Sequence, residues 1–298
     1  MYYRRKILLS ILEAFGGTLS RTQMQKLAFL FTRMQATPAY DFVPYRFGCY
    51  SFQANQDLAV MQQAGMLSES NLNGFQYWHK QDETAYSSQL KKQDQELLAV
   101  LHAQFKDYGP NDLIRHSYVH YPYYAIHSTV AGQYLEDEQL EQVKAARSTL
   151  SEKCLFTIGY EGKSLEQYLN QLLQQNVKLL CDVRKNSYSM KYGFSKSQLQ
   201  HACEQVGIAF RHIPQLGIES DKRRALDTQR DYDVLFADYE RSTLPQNHDY
   251  LLELAGLFHQ YPRIAITCFE AQVCMCHRGK VAAALQALPD WDIPVGHL

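Results

Sequence analysis

CLFTIGYEGKSLEQYLNQLLQQNVKLLCDVR, residues 154–184, is the stretch on which the fold turns. It opens on a β-branched and aromatic run, CLFTIGY, and then turns between Gly159 and Gly162. Ser164 and Gln167 have the spacing of a capping box, and Leu165, Tyr168, Leu169 and Leu172 recur at helical intervals behind it. VKLLCDVR closes the stretch as a near-continuous apolar run of buried-strand length. Strand, helix and strand joined by short connections make the unit of a parallel sheet. The alternation continues downstream through a basic loop (185–196), a helix over 197–206, the strand IAFRHIP and a long helical stretch to about residue 258. A last strand, RIAITCFE, and a last helix, KVAAALQAL, follow. The reading for residues 153–298 is an α/β domain with a largely parallel sheet.

In such sheets ligands gather beyond the carboxyl ends of the strands. Gly159, Tyr160 and Glu161 end the first strand, Asp182 and Arg184 the second, His212 the third, and Cys268 and Glu270 the last. The pattern therefore predicts that these groups converge on one edge.

Residues 1–152 have a different texture. Ile7, Leu8, Ile11, Leu12 and Phe15 recur at helical spacing up to Gly16-Gly17, and Ser20 with Gln23 forms a second capping box ahead of Met24, Leu27, Ala28 and Phe31. YDFVPYRFGCYS reads as strand and turn, FQANQDLAVMQQAGML as a helix stopped at Gly65, and GFQYWHK as a strand. Helices are expected over 91–107, from Asn111 to Pro122 and within 133–152. This order predicts a mostly helical, winged-helix-like domain, which contacts DNA or pairs subunits as a homodimer. MQKLAFLF, FVPYRFGCYS and LAVMQQAGML resemble the helical modules that accompany antitoxin and phage-defence genes.

Composition sets bounds on partners. The formal net charge is −1, but residues 1–40 hold Arg4, Arg5, Lys6, Arg21, Lys26 and Arg33 against Glu13 alone, and residues 178–230 hold ten Lys/Arg against five Asp/Glu. Two basic regions in a neutral chain point to anionic partners, nucleic acid or nucleotide. No apolar run approaches a membrane span, the amino end lacks a signal-cleavage pattern, and seven cysteines clustered late do not form a disulfide framework. A cytoplasmic protein with free thiols and no membrane partner is expected.

FTIGYEGKSLEQYL, LLCDVRKNSYS, FSKSQLQHACEQVGIAFRHIPQLG and CFEAQVCMCHRG, in that order, resemble the successive motifs of the bacterial family called domain of unknown function 488. The resemblance implies a fold and a site more than an activity. Its strand ending in cysteine-x-glutamate and its cysteine-histidine-arginine run correspond here to Cys268, Glu270, Cys276, His277 and Arg278. Cys274 lies outside that pattern.

Three chemistries remain open for RIAITCFEAQVCMCHRGKVAAAL, residues 263–285. One is an anion cradle at the amino end of the last helix, with Arg278 and Arg184 gripping phosphate and Lys185, Lys222, Arg223 and Arg224 adding charge. Against it stands a purely structural pairing of Arg184 with Asp182 or Glu270. The second is a catalytic thiol: Cys276, beside His277 and Arg278, is expected to have a lowered pKa, with Asp182 or Glu270 as general acid/base and Cys268 buried and inert. The third is a metal bound by Cys268, Cys274, Cys276 and His277, but the spacing is unlike zinc knuckles, so neither metal nor cofactor is expected. Packing accounts for Cys154, Cys181 and Cys203. Tyr160, Tyr188, Tyr192 and Phe194 interleave with basic residues, as base stacking requires. The expected function is an enzyme of nucleic-acid or nucleotide metabolism linked to DNA modification or defence; the alternative is a non-enzymatic DNA-binding regulator that senses a small anion or oxidant.

Overall fold

Ser20 and Ser164 each accept, on the hydroxyl, a hydrogen bond from the backbone N–H three residues on and donate their own backbone N–H to that glutamine's side chain, so both capping boxes form and both helices start where their sequences place them. The computed structural model describes residues 1–223 and 228–298. It divides into two units, Met1–Arg147 and Ser148–Leu298. The result is a mixed α/β protein, helical in its first part and built on a parallel sheet in its second.

The first unit runs α1 (Tyr3–Ala14), β1 (Thr18–Ser20), α2 (Arg21–Met34), β2 (Val43–Tyr45), β3 (Gly48–Tyr50), α3 (Phe52–Gln63), β4 (Leu67–Leu72) and β5 (Phe75–Lys80). Helices α4 (Lys92–Phe105), α5 (Pro110–His120), α6 (Ala131–Tyr134) and α7 (Asp137–Ala145) complete it. Strands β1, β5 and β4 form an antiparallel sheet in that order. The β4–β5 turn is Asn73-Gly74 with both φ positive, 52° and 83°, the backbone of a two-residue hairpin that an asparagine-glycine pair adopts readily. Helix α2 is buried on nearly every side, from Met24 through Thr32. Its Lys26 is 1% exposed and directs Nζ at the carbonyls of Phe47 and Cys49, tying the β2–β3 hairpin to the helix. With no carboxylate among these contacts, burial holds that ammonium below the usual lysine range.

The basic start is spent in the same way. Arg4 and Arg5 of α1 both reach the fully buried carboxylate of Asp57 on α3, at 2.5 and 2.8 Å, and Tyr40 donates its hydroxyl at 3.0 Å. Arg21 pairs with Glu69 over the Trp78 ring. Much of the positive surplus of residues 1–40 thus holds helices and strands together.

The second unit runs β6 (Cys154–Gly159), α8 (Leu165–Gln174), β7 (Leu179–Asp182), α9 (Lys196–Gln205), β8 (Ala209–His212), α10 (Gln229–Asp238), α11 (Leu244–Gln246), α12 (His248–Gly256), β9 (Arg263–Cys268), α13 (His277–Gln286) and β10 (Val295–His297). A single π-helical turn, Tyr239–Thr243, links α10 to α11. Among the described residues the five strands lie in the order β10-β6-β9-β7-β8, and every pairing is parallel. β6, β7 and β9 are buried along nearly their whole length, which is why they read as continuous apolar runs. Register aligns their carboxyl ends: Gly159 lies opposite Cys268, and Asp182 opposite both Thr267 and His212.

Burial pushes the Asp57 carboxyl up, but the hydrogen bonds from Arg4, Arg5 and Tyr40 outweigh it and hold the group below the usual aspartate range. Its stabilisation is therefore complete above the unfolded pKa of about 3.9 and disappears as pH falls through the lower native value. Asp57→Ala is expected to destabilise the first unit by about 2 kcal/mol at neutral pH and by progressively less in acid. Urea unfolding followed by Trp78 fluorescence in a Trp291→Phe background measures it, since these are the two tryptophans of the chain.

Candidate functional site

The aligned strand ends border a cleft of about 270 Å³ lined by Tyr160, Arg184, Lys185, Asn186, Tyr188, Ile218, Cys268, Phe269 and His277. A larger depression of about 430 Å³ in the first unit offers one titratable group, His102, whose ring packs edge-on against Phe15. The reactive side chains are therefore concentrated at the sheet edge.

At the cleft wall, Arg184 lies over Asp182. Its Nε and Nη2 donate to the two carboxylate oxygens at 2.8 and 2.6 Å, and its Nη1 donates to the Tyr160 hydroxyl at 2.8 Å. Asp182 is fully buried and Arg184 is 5% exposed. Burial alone lowers a guanidinium's pKa, but the Asp182 hydrogen bonds and charge win and raise it. The Tyr160 ring stacks on Phe194 at 4.3 Å and meets the edge of Phe269. Of the readings open in the sequence, the structural pairing of Arg184 with Asp182 is the one observed. Lys185 pairs with Glu219 at 2.8 Å across solvent, a contact weak enough to exchange for a ligand.

At the cleft floor, Cys268 meets three groups. Its Sγ is 3.5 Å from His277 Nδ1 and 3.3 Å from Glu270 Oε2, and the ligand atoms of Cys268, Cys276 and His277 all lie within 4.8 Å of one another. His277 Nε2 lies 3.0 Å from the Val183 carbonyl. A carbonyl only accepts, so Nε2 carries a hydrogen; in the neutral ring the lone pair is then on Nδ1, the nitrogen that faces the sulfur. Tyr239 braces the ring edge-on from the π-helical turn.

Cys276 departs from its expectation. It caps α13 with extended backbone but is 1% exposed and does not line the cleft. Burial first, then its contact with Cys268, pushes its thiol up, opposite to the lowered value expected from a helix start beside His277 and Arg278. Arg278 is also 1% exposed. Its Nη1 and Nη2 donate to the carbonyls of Glu270 and Ala271, the latter at 2.8 Å, so the guanidinium clamps the loop after β9 and stays out of the cleft. The two arginines expected to grip phosphate together are each committed to protein groups.

The remaining expected residues support the frame. A Cβ at Gly159 would sit 1.8 Å from the Glu270 carbonyl oxygen, so only glycine lets the β9 loop fold across the end of β6. Glu161 Oε2 accepts from the Ala271 N–H at 2.9 Å. His212 Nε2 donates to the Arg184 carbonyl at 2.9 Å from outside the cleft lining. Lys222 pairs with Asp238 on the surface. Arg223 is described in its backbone alone, in a 3-10 turn, and Arg224 lies outside the described residues. Asn186, Ile218 and Phe269 line the cleft without having been anticipated. Phe269, 43% exposed, follows the last residue of β9, where strand alternation no longer says which way a side chain turns.

Two substitutions separate these roles. Asp182→Ala leaves the buried Arg184 without its carboxylate and is expected to cost about 3–5 kcal/mol. Gly159→Ala is expected to cost about 3 kcal/mol by forcing the β9 loop away. Both are read from Trp291 fluorescence during urea unfolding in a Trp78→Phe background.

Residues 164–285 match the family model described as "Domain of unknown function DUF488". No curated protein matches the chain. The matched span holds Asp182, Arg184, Cys268, Glu270, Cys276, His277 and Arg278 together with the helices that flank the sheet. The second unit of the chain thus contains a domain of the DUF488 family, with the clustered groups of the strand ends inside it.

Proposed function

We propose that the second unit is an enzyme acting on a nucleotide or on a single-stranded stretch of nucleic acid held in the cleft. The observation that carries this reading is the combination at one site of a reactive floor, Cys268 with His277 and Glu270, and walls of Tyr160, Tyr188 and Phe269 beside Lys185. Aromatic faces next to a cation suit a base and its phosphate. Tyr188 and Phe269 are exposed at 73% and 43%, free to stack on an incoming ring, whereas Tyr160 is fixed by Arg184 and Phe194. Lys185 is the cleft's accessible cation, because Arg184 is committed to Asp182. The ligand is then held mainly by stacking, with one ionic contact. Proton movement falls to Glu270, beside Cys268 at the floor.

For the first unit, the three helices α1, α2 and α3 with the antiparallel β1-β5-β4 sheet and its tight β4–β5 turn support a winged-helix-like reading. Because Arg4, Arg5 and Lys26 are tied to internal partners, this arrangement favours protein pairing over broad phosphate contact.

Binding of labelled single- and double-stranded DNA and RNA, and of mononucleotides, at two salt concentrations tests the reading. Wild type is expected to bind a single strand or nucleotide more weakly at higher salt. Combining Lys185→Ala with Tyr188→Ala should weaken it about tenfold or more, at about 1–3 kcal/mol per stacked base. Both residues lie at the rim, so the fold survives. Equal, salt-insensitive binding by wild type and variant, or no binding by wild type, overturns the proposal.

A further inference from the structure

Cys268, Cys276 and His277 come from two places in the chain, the end of β9 and the start of α13, and bring two sulfurs and one nitrogen within 4.8 Å of one another. Three features of the cluster go beyond thiol packing. The first is distance. Zinc takes sulfur at about 2.3 Å and imidazole nitrogen at about 2.0 Å, and at a tetrahedral angle those bonds set sulfur and nitrogen about 3.5 Å apart. The Cys268 Sγ to His277 Nδ1 separation is 3.5 Å.

The second feature is the imidazole tautomer. Ligating histidines usually donate the distal ring N–H to a carboxylate or backbone carbonyl, which fixes the ring and turns the other lone pair to the metal. His277 does this through Nε2 to the Val183 carbonyl at 3.0 Å, with Tyr239 against its edge. The third is donor chemistry. Two thiols and one imidazole select zinc over magnesium or calcium, which take oxygen ligands.

Adjacent residues are poor partners on a regular helix, where successive side chains diverge. Cys276 escapes this because it precedes the helix, with φ −138° and ψ 136°, while His277 is already in the first turn. Arg278, the next residue, holds the carbonyls of Glu270 and Ala271 and so fixes the loop that joins the two halves of the cluster.

We propose that Cys268, Cys276 and His277 hold a zinc ion whose fourth position opens into the cleft. Two of the three ligands, Cys268 and His277, line that cleft, and three protein ligands with one exchangeable position is the arrangement of a catalytic rather than a structural zinc. Glu270 Oε2, 3.3 Å from Cys268 Sγ, stands beside the cluster. An ion held there would supply an acidified water, of pKa about 7, and Glu270 would be the neighbouring carboxylate placed to take its proton. The ligand set stands on its own geometry; only the identity of what enters the fourth position rests on the function proposed above.

The test is elemental analysis of the full chain, purified without a metal-affinity step or strong chelator, and then exchanged with cobalt(II). The expected result is one zinc per chain, and a cobalt form with intense thiolate-to-metal charge-transfer absorption and the visible bands of a tetrahedral site. Cys276→Ser and His277→Ala should each release zinc to a chromophoric chelator about tenfold or more readily than wild type. Cys274→Ser, at an exposed thiol outside the cluster, should leave retention unchanged. The cobalt spectrum of the wild type needs no variant, so it decides the matter even where a ligand substitution impairs folding. Wild type that takes up neither metal stoichiometrically, or cobalt-loaded protein without thiolate charge transfer, overturns the proposal. Metal content is measured with no nucleic acid present, so this inference and the proposed substrate class fail separately.

Discussion

The convergence of side chains in the second unit depends on a position that has no side chain. β6 and β9 pair in parallel with Gly159 opposite Cys268, and beyond that pair the β9 strand must turn across the end of β6 to bring Glu270 and the loop toward α13. The backbone of Glu270 passes where any Cβ on residue 159 would lie. Given that close approach, Tyr160 and Glu161 donate their N–H groups to the Phe269 carbonyl, Glu161 receives the Ala271 N–H, and Arg278 closes the loop from below. The loop that carries the carboxylate is then held by a backbone meshwork, while the imidazole is fixed by its own bond to the Val183 carbonyl. Such support from surrounding polar groups is what keeps reacting atoms in place.

Charge in this protein is used largely for internal order. Asp57 gathers Arg4 and Arg5, Asp182 gathers Arg184, and Lys26 and Arg278 satisfy backbone carbonyls. A buried cation or anion without such partners is severely unfavourable, so each of these groups fixes the conformation of whatever it touches. Part of the first basic stretch is thus internal, whereas Lys178, Lys185, Lys196, Arg211, Lys222 and Arg230 of the second are exposed. Lys185 is the cation left facing the cleft with a partner that solvent already weakens.

Elements with strong local signals were legible before any coordinates. The strand-helix-strand alternation, both capping boxes and the coincidence of polar residues with strand ends follow from short-range chemistry that tertiary packing did not override. β1 and β10 were not, because three residues carry no periodicity, nor was β4, whose LSESNL pattern is polar and faces solvent over half its length. At the site, the juxtaposition of Tyr160, Asp182, Arg184 and Cys268 could be anticipated from topology, whereas the fate of the arginines could not. Whether a guanidinium meets a ligand or a carbonyl depends on distances of a few ångströms between segments far apart in sequence. The thiols show the same limit: spacing along the chain argued against a shared ion for Cys276 and His277, and the break in backbone geometry between them removes that objection.

The segment between β7 and α9 carries Tyr188 and Met190 at high exposure, while everything beneath it is anchored to strands or to α13. Floor and rim are thus built from different parts of the chain with different mechanical standing. Exposed positions such as Tyr188 and Met190 can be exchanged at little energetic risk, whereas Arg184 and Phe194 of the same connection are buried and anchor it, so the cluster beneath would not register the change. A scaffold organised this way lends itself to diversification: one buried cluster of groups can be offered to many molecules by rewriting the exposed tip of a single loop.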